Sequence, residues 1–199
     1  MFKKIVLGLF TVITLAVVAI LAIAATRPPT YHVERSATMS ASPSQVYAVL
    51  TDFHRFPEWS PWQKLDPNMK ITFGGAERGQ GATYAWVGNN EAGAGKMTIL
   101  ECTPDQAITE KLEFVKPFKD TCVGHFAIAP EGAGSRVTWT MDGNHNLVSK
   151  VMCMFVSMDS MIGKDFEAGL ASLTKVAEAE PAPAPATPAE AATTSAAKR

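Results

Sequence analysis

The sequence predicts an α+β protein. A curved antiparallel sheet of about seven strands wraps around one long C-terminal helix, with short helices after the first strand and an apolar helix at the N-terminus. Three observations predict it. Between Leu147 and Ala177, the residues Phe155, Met158, Ile162, Phe166, Gly169, Leu170, Leu173 and Val176 recur at helical spacing and form one apolar stripe. From Tyr31 to Asp142, segments of strand character alternate with short turn-like breaks, which favours antiparallel neighbours because parallel ones need long crossovers. Ile5 to Ala25 carries no charge and is almost wholly apolar.

That apolar run comes first in the chain. At ~1.5 Å per helical residue it matches a hydrocarbon core of ~30 Å. Lys3 and Lys4 precede it, whereas Arg27 and Arg35 on the other side have Glu34 between them. The positive cluster therefore stays cytoplasmic, and the domain is expected on the extracytoplasmic (periplasmic) side of a bacterial cytoplasmic membrane, held by a single pass. A cleaved signal peptide competes with this reading, because Ala22, Ala24 and Ala25 are small enough for a peptidase. A cleavable apolar region is usually ~7–15 residues, shorter than this one. Both readings export the domain. The expected division is 1–26 membrane anchor or signal segment, 27–177 ligand-binding domain, and 178–199 a disordered tail of mostly Ala, Pro, Thr and Glu.

Arg27-Pro28-Pro29 ends the anchor and begins an extended linker. Tyr31–Met39 alternates as a first strand. Ser42-Pro43-Ser44 then opens a short helix, with Ser42 as cap and proline in the first turn. Val46, Val49, Leu50 and Phe53 form its buried face. Phe56–Trp62, FPEWSPW, is too rich in proline for a strand and too aromatic for a plain solvated loop. Trp59 and Trp62 there are read either as a plug between helix and sheet or as a membrane-facing lip, the plug being preferred. Strand segments follow at about 69–73, 82–87, 96–101, 107–114, 121–128 and 136–141, separated by GGAERGQG, GNNEAGAG, TPDQ, KPFKD and PEGAGS.

Composition narrows the function classes. The chain has 199 residues and a formal net charge of −1, with no concentrated basic patch of the kind a nucleic-acid surface needs. The four histidines are not paired at metal-ligand spacing, so no metal site is expected. The three cysteines, Cys102, Cys122 and Cys153, form no CxxC pair and read as small buried apolar residues, one disulfide in an exported domain being the alternative. No GxSxG elbow supports a hydrolase, and neither glycine-rich turn leads from a strand into a helix as a nucleotide loop does. No cofactor is expected.

Several stretches carry a family resemblance: ERSATMSASPSQVYAVLTDFHRFPEWSPW, GATYAWVGN with GKMTILECTPDQAITEKLEF, and RVTWTMDG with DSMIGKDFEAGLASL. From Tyr31 to Ala177 the sequence resembles the polyketide cyclase/dehydrase-like bacterial domains of the START and birch-pollen-allergen (SRPBCC) superfamily. The resemblance implies the helix-grip fold and an apolar cavity between helix and sheet. It implies no single reaction, and it supplies no shared catalytic residues.

Strand alternation assigns the inward face. Tyr84 with Trp86, Met97 with Ile99 and Glu101, Ile108 with Glu110, Leu112 and Phe114, and Val137 with Trp139 and Met141 each share a face. The candidate ligand-binding set is Trp62, Tyr84, Trp86, Ile99, Glu110, Leu112, Phe114, Trp139, Met141, Met158, Ile162 and Phe166. Individually these aromatics also suit a dry core. Glu110 is the sharpest of them, because a carboxyl group on an apolar face is costly unless paired or protonated. It is the one candidate catalytic residue. Methionines crowd the start of the long helix and suit a plastic pocket. Gly163 and Gly169 interrupt that helix at roughly 1 kcal/mol each against alanine, which points to close packing or to room left for a ligand.

The leading expectation is a membrane-anchored binding domain for a small hydrophobic or lipid-like ligand. The alternatives are a cyclase, dehydratase or isomerase with Glu110 as acid/base, and a protein-interaction or envelope-stress module with a solid core.

Overall fold

A computed structural model describes residues 2–145 and 147–181. Helix α1 (Phe2–Ala25) begins with Lys3 and Lys4 in its first turn, is uncharged and almost wholly apolar from Ile5 on, is exposed except at Ala24, and is long enough to cross a membrane. Strand β1 (Thr30–Met39) follows, then α2 (Pro43–Leu50), the single-turn α3 (Phe56–Trp59) and a 3-10 turn at Pro61–Leu65. Six strands come next: β2 (Lys70–Gly75), β3 (Ala82–Val87), β4 (Ala94–Thr103), β5 (Ala107–Lys116), β6 (Asp120–Glu131) and β7 (Gly134–Asn144). Two helices close the fold, α4 (Leu147–Met152) and α5 (Met158–Glu178).

The seven strands form one antiparallel sheet in the order β1-β7-β6-β5-β4-β3-β2. Sequential strands are therefore neighbours except that β1, the first, joins the far edge beside β7. The crossover from β1 to β2 is made by α2, α3 and the 3-10 turn, which lie over the same face as α5. Helix α5 packs against β1 and touches α2, α3 and the 3-10 turn. Side chains at alternate positions, Val33, Tyr84, Met97, Ile99, Ile108, Leu112, Phe126, Val137 and Trp139, face inward with Phe166, Leu170 and Leu173 of the helix.

Local sequence explains the elements. Ser42 has extended backbone, its hydroxyl accepts from the Gln45 N–H, and the Gln45 side chain accepts from the Ser42 N–H, so the capping box starts α2 with Pro43 at its first position. The FPEWSPW stretch is helical rather than looped, because both prolines fall at the start of a turn where a missing N–H costs nothing. Trp59 is buried there, edge-on to Phe56, Phe126 and Trp139, which is the expected plug.

Two expectations need correction. The stripe from Leu147 to Ala177 is not one helix. The chain breaks over 153–157, and Ser157 caps a new helix by accepting from the Ser160 N–H. Phe155, assigned to the buried stripe, sits in the break and is 79 % exposed. Glu101 also leaves the predicted face. A bulge between Ile99 and Glu101 shifts the phase of β4, so Cys102 turns toward the core and Glu101 toward solvent.

Helix α5 runs through Glu178, whose carboxylate accepts from the Ser40 N–H and hydroxyl, and Arg55 pairs with Glu180. The expected disordered tail lies, for 182–199, outside the described residues.

Candidate functional site

A cavity of about 400 Å³ opens between α5 and the sheet at one end. That end gathers the start of β1, the end of β3, the start of β4, the β5–β6 turn, the end of β7, α4 and the first turns of α5. Its wall is overwhelmingly apolar: Tyr84, Trp86, Met97, Leu112, Phe114 and Met141 from the sheet, Phe56, Trp62, Leu65 and Met69 from the crossover, and Val148, Met152, Met158, Met161 and Ile162 from the helices. The volume falls within the ~300–1,000 Å³ usual for small-molecule sites.

Eight of the twelve candidate residues stand on this wall: Trp62, Tyr84, Trp86, Leu112, Phe114, Met141, Met158 and Ile162. The other four, Ile99, Glu110, Trp139 and Phe166, are buried behind it. Trp139 and Phe166 stack face to face with ring centroids 3.8 Å apart, and Trp62 meets both rings edge-on. The Trp62 indole N–H donates to Asp165 at 3.2 Å, which fixes the ring as part of the wall. This aromatic layer closes the inner end of the cavity.

The two helix glycines mark close packing. Gly169 lies against the Trp139 ring, where a Cβ would stand 2.9 Å from Cζ3. Gly163 lies under the Arg35 guanidinium, and a Cβ there would overlap it. Arg35 is held in place by Asp159 and Glu167, each at 2.7 Å. Neither glycine leaves room for a ligand.

Glu110 sits between Ile99 and Gly124 across the sheet. It is 5 % exposed, and among the described residues its carboxylate makes no hydrogen bond or ion pair. Burial alone pushes its pKa from 4.5 up to about 7. Gly124 makes space for it. A Cβ at 124 would come within 3.0 Å of the Glu110 Cγ and Oε1.

One row nearer the mouth, burial pushes the Cys122 thiol up to about 12. The Tyr31 hydroxyl is also raised, chiefly by burial. On the wall itself, the Tyr84 hydroxyl is buried with no hydrogen-bond partner among the described residues, and burial pushes its pKa up to about 12. Among the described residues, the buried Trp59 Nε1, Trp139 Nε1 and Gln63 Oε1 also find no partner. Among the described residues no cluster of His, Cys, Asp and Glu is arranged to hold a metal ion.

Sequence reasoning missed Tyr31, Leu65, Met69, Phe118 and Val148, all of which line the cavity. Tyr31 could have been found, since it is in phase with Val33 on β1. Phe118 lies in the KPFKD turn, and an aromatic flanked by two lysines in a turn was the available signal. Val148 had none, because its position depends on the helix break.

Comparison with known proteins agrees with this architecture. Among proteins of curated function none matches the sequence. Solved structures match in fold. A protein of Chromobacterium violaceum is 16 % identical with a TM-score of 0.52, the match covering 77 % of this chain and 100 % of that one. A protein of Mesorhizobium loti is 15 % identical with a TM-score of 0.55, covering 74 % and 97 %. The solution structure of the Aha1 dimer from Colwellia psychrerythraea is 14 % identical with a TM-score of 0.53, covering 75 % and 97 %. At these identities the likeness is one of fold. Sequence similarity at the level of a whole family is found over residues 30–178, the full span from β1 to the end of α5. The chain belongs to the family described as polyketide cyclase / dehydrase and lipid transport.

Proposed function

We propose that this protein binds a small hydrophobic or lipid-like molecule in the cavity between α5 and the sheet, and that α1 holds the domain at the outer face of a bacterial cytoplasmic membrane. One observation carries the reading: a cavity of about 400 Å³ whose wall is built from aromatic, leucine and methionine side chains. A wall of that kind gains by replacing water with an apolar ligand, at ~25 cal/mol for each Å² covered. The lining methionines, Met69 before β2, Met97 on β4, Met141 on β7, Met152 on α4, and Met158 and Met161 on α5, adapt to ligand shape. The unpartnered Tyr84 hydroxyl supplies one polar contact, which suits a ligand with a single oxygen function. The uncharged run Ile5–Ala25 within α1, with Lys3 and Lys4 before it, supports the anchor and its orientation.

Acid/base chemistry at Glu110 is less well supported, because Leu112 reaches the wall and Glu110 stands one row behind it. A protein-interaction module needs no internal cavity.

Native mass spectrometry of the full chain, extracted with its membrane, tests the proposal. A non-covalent adduct of a hydrophobic small molecule is expected. It should be lost in Leu112→Trp, a substitution that fills the cavity, while circular dichroism shows the fold intact. Absence of any adduct, with no uptake of a fluorescent fatty-acid probe, would overturn the proposal.

A further inference from the structure

The mouth of the cavity lies at the end of the sheet where the anchor attaches, and the pairing of β1 with β7 makes this unavoidable. Thr30 is paired with Asn144, so the chain leaving α1 and the chain entering α4 emerge side by side. The His145 N–H donates to the Pro29 carbonyl at 2.7 Å, and the rings of Tyr31 and His145 meet at 5.1 Å. Helix α4 touches α1 directly, and Ala24 near the end of α1 is fully covered. Because the strands alternate in direction, the β3–β4 and β5–β6 turns fall at this same end, and residues from both line the cavity.

This end also carries the domain's most exposed apolar side chains. Phe155 is 79 % exposed, Phe118 62 %, Val148 58 % and Leu147 54 %, with Met152 and Val156 also exposed. They form two ridges beside the mouth: the α4 segment with the break after it, and the tip of the β5–β6 turn. Lys116 and Lys119 flank Phe118, and Lys150 lies within α4. Apolar tips edged by lysine fit the boundary between acyl chains and phosphate headgroups. Such a set facing water would be an aggregation hazard on a freely diffusing domain. Here the anchor fixes what covers it.

We infer that the α4 segment and the β5–β6 turn form a lip that rests in the same bilayer α1 spans, so that the cavity opens into the membrane and its ligand arrives from there rather than through water. This rests on the proposed binding function and adds the route. The four residues between α1 and β1 are too few to let the lip leave the surface freely.

The full chain in nanodiscs of phosphatidylcholine and phosphatidylglycerol tests it. A benzophenone side chain replaces Leu147 or Phe155 in one set, and Val123, on the outer face of the sheet, in a control. Neither Leu147 nor Phe155 lines the cavity. On illumination, phospholipid adducts at 147 and 155 should exceed those at 123 by about tenfold, as expected for side chains lying in the acyl region. Adducts no more frequent than at 123, or adducts to another protein or a second copy, would overturn the lip.

Uptake of a fluorescent fatty-acid probe, delivered on a soluble carrier, is scored on the same sample. A bound probe without lipid adducts removes the lip and spares the binding function. Lipid adducts without a bound probe do the reverse. Leu147→Ser with Phe155→Ser should slow probe uptake from donor vesicles about tenfold and leave uptake from the carrier unchanged. Equal rates from vesicles in variant and wild type would count against the route.

Discussion

The Trp139 indole lies flat on the Phe166 ring, with centroids 3.8 Å apart and planes within 4° of parallel. This pair joins the last strand to the closing helix at the inner end of the cavity, and Gly169 on the next turn of α5 lets the helix approach the same indole. Both rings are buried without lining the open volume. Phe166→Ala should therefore cost ~3–5 kcal/mol of stability, as for other large-to-small core changes. The urea midpoint measures it. A loss below ~1 kcal/mol would mean that Phe166 belongs to the ligand site rather than to the core.

Glu110 makes stability depend on pH in a definite direction. Its carboxyl is raised from 4.5 to about 7 by burial. Between these values the folded state holds a proton that the unfolded state has released, so stability falls as pH rises through this window. Below about 4.5 the penalty is absent, and above about 7 it is complete, at roughly 3 kcal/mol between the two protonation states. Glu110→Gln should flatten the slope between pH 5 and 7 and stabilise the protein at pH 8. Urea titrations at pH 5, 6, 7 and 8 check it, and an unchanged slope in the variant would contradict the assignment.

Gly163 has its identity because of Arg35. In wild type, Gly163→Ala should destabilise, because the new Cβ meets the guanidinium that Asp159 and Glu167 hold in place. With Arg35→Ala also present, the obstruction is gone, and the same change should stabilise by up to ~1 kcal/mol through helix propensity alone. A double-mutant cycle in thermal unfolding reads the reversal of sign.

Tyr84 holds a buried hydroxyl with no partner among the described residues. Tyr84→Phe should raise the stability of the ligand-free protein by ~1 kcal/mol, because an unsatisfied polar group is removed. It should weaken a ligand carrying an oxygen function about tenfold and leave a pure hydrocarbon unaffected. Thermal shift and probe competition with a fatty alcohol and an alkane of equal length separate the two effects.

Much of the architecture was legible because periodicity reports burial directly. The alternation in Ile108-Glu110-Leu112-Phe114 placed a carboxylate on the inner face, and the structure buries it there. Val137-Trp139-Met141 reads the same way. Periodicity failed where a single residue shifts the phase. The bulge after Ile99 turned Glu101 outward, and the break at 153–157 freed Phe155. The bulge depends on a partner strand distant in sequence, and the break shows only one local sign, Ser157 as the cap of α5. The candidate site divided for the same reason. Inward alternation selects every residue on the concave face, but it does not say where the helix lies close to the sheet and where it stands away. Trp139 and Met141 share a face two residues apart, yet one is packed under Phe166 and the other lines open space.

The sequence by itself determined the α+β class, the inward face of each strand, the cap that starts α2, the apolar α1 and the unusual burial of Glu110. These follow from short-range pattern and side-chain chemistry. Only the tertiary structure decided where the space is. The antiparallel pairing of β1 with β7 brings the end of α1 to the start of α4, although more than a hundred residues separate them. The same pairing sets the mouth beside the end of α1. No window of sequence contains that relation, because it is a property of the closed sheet.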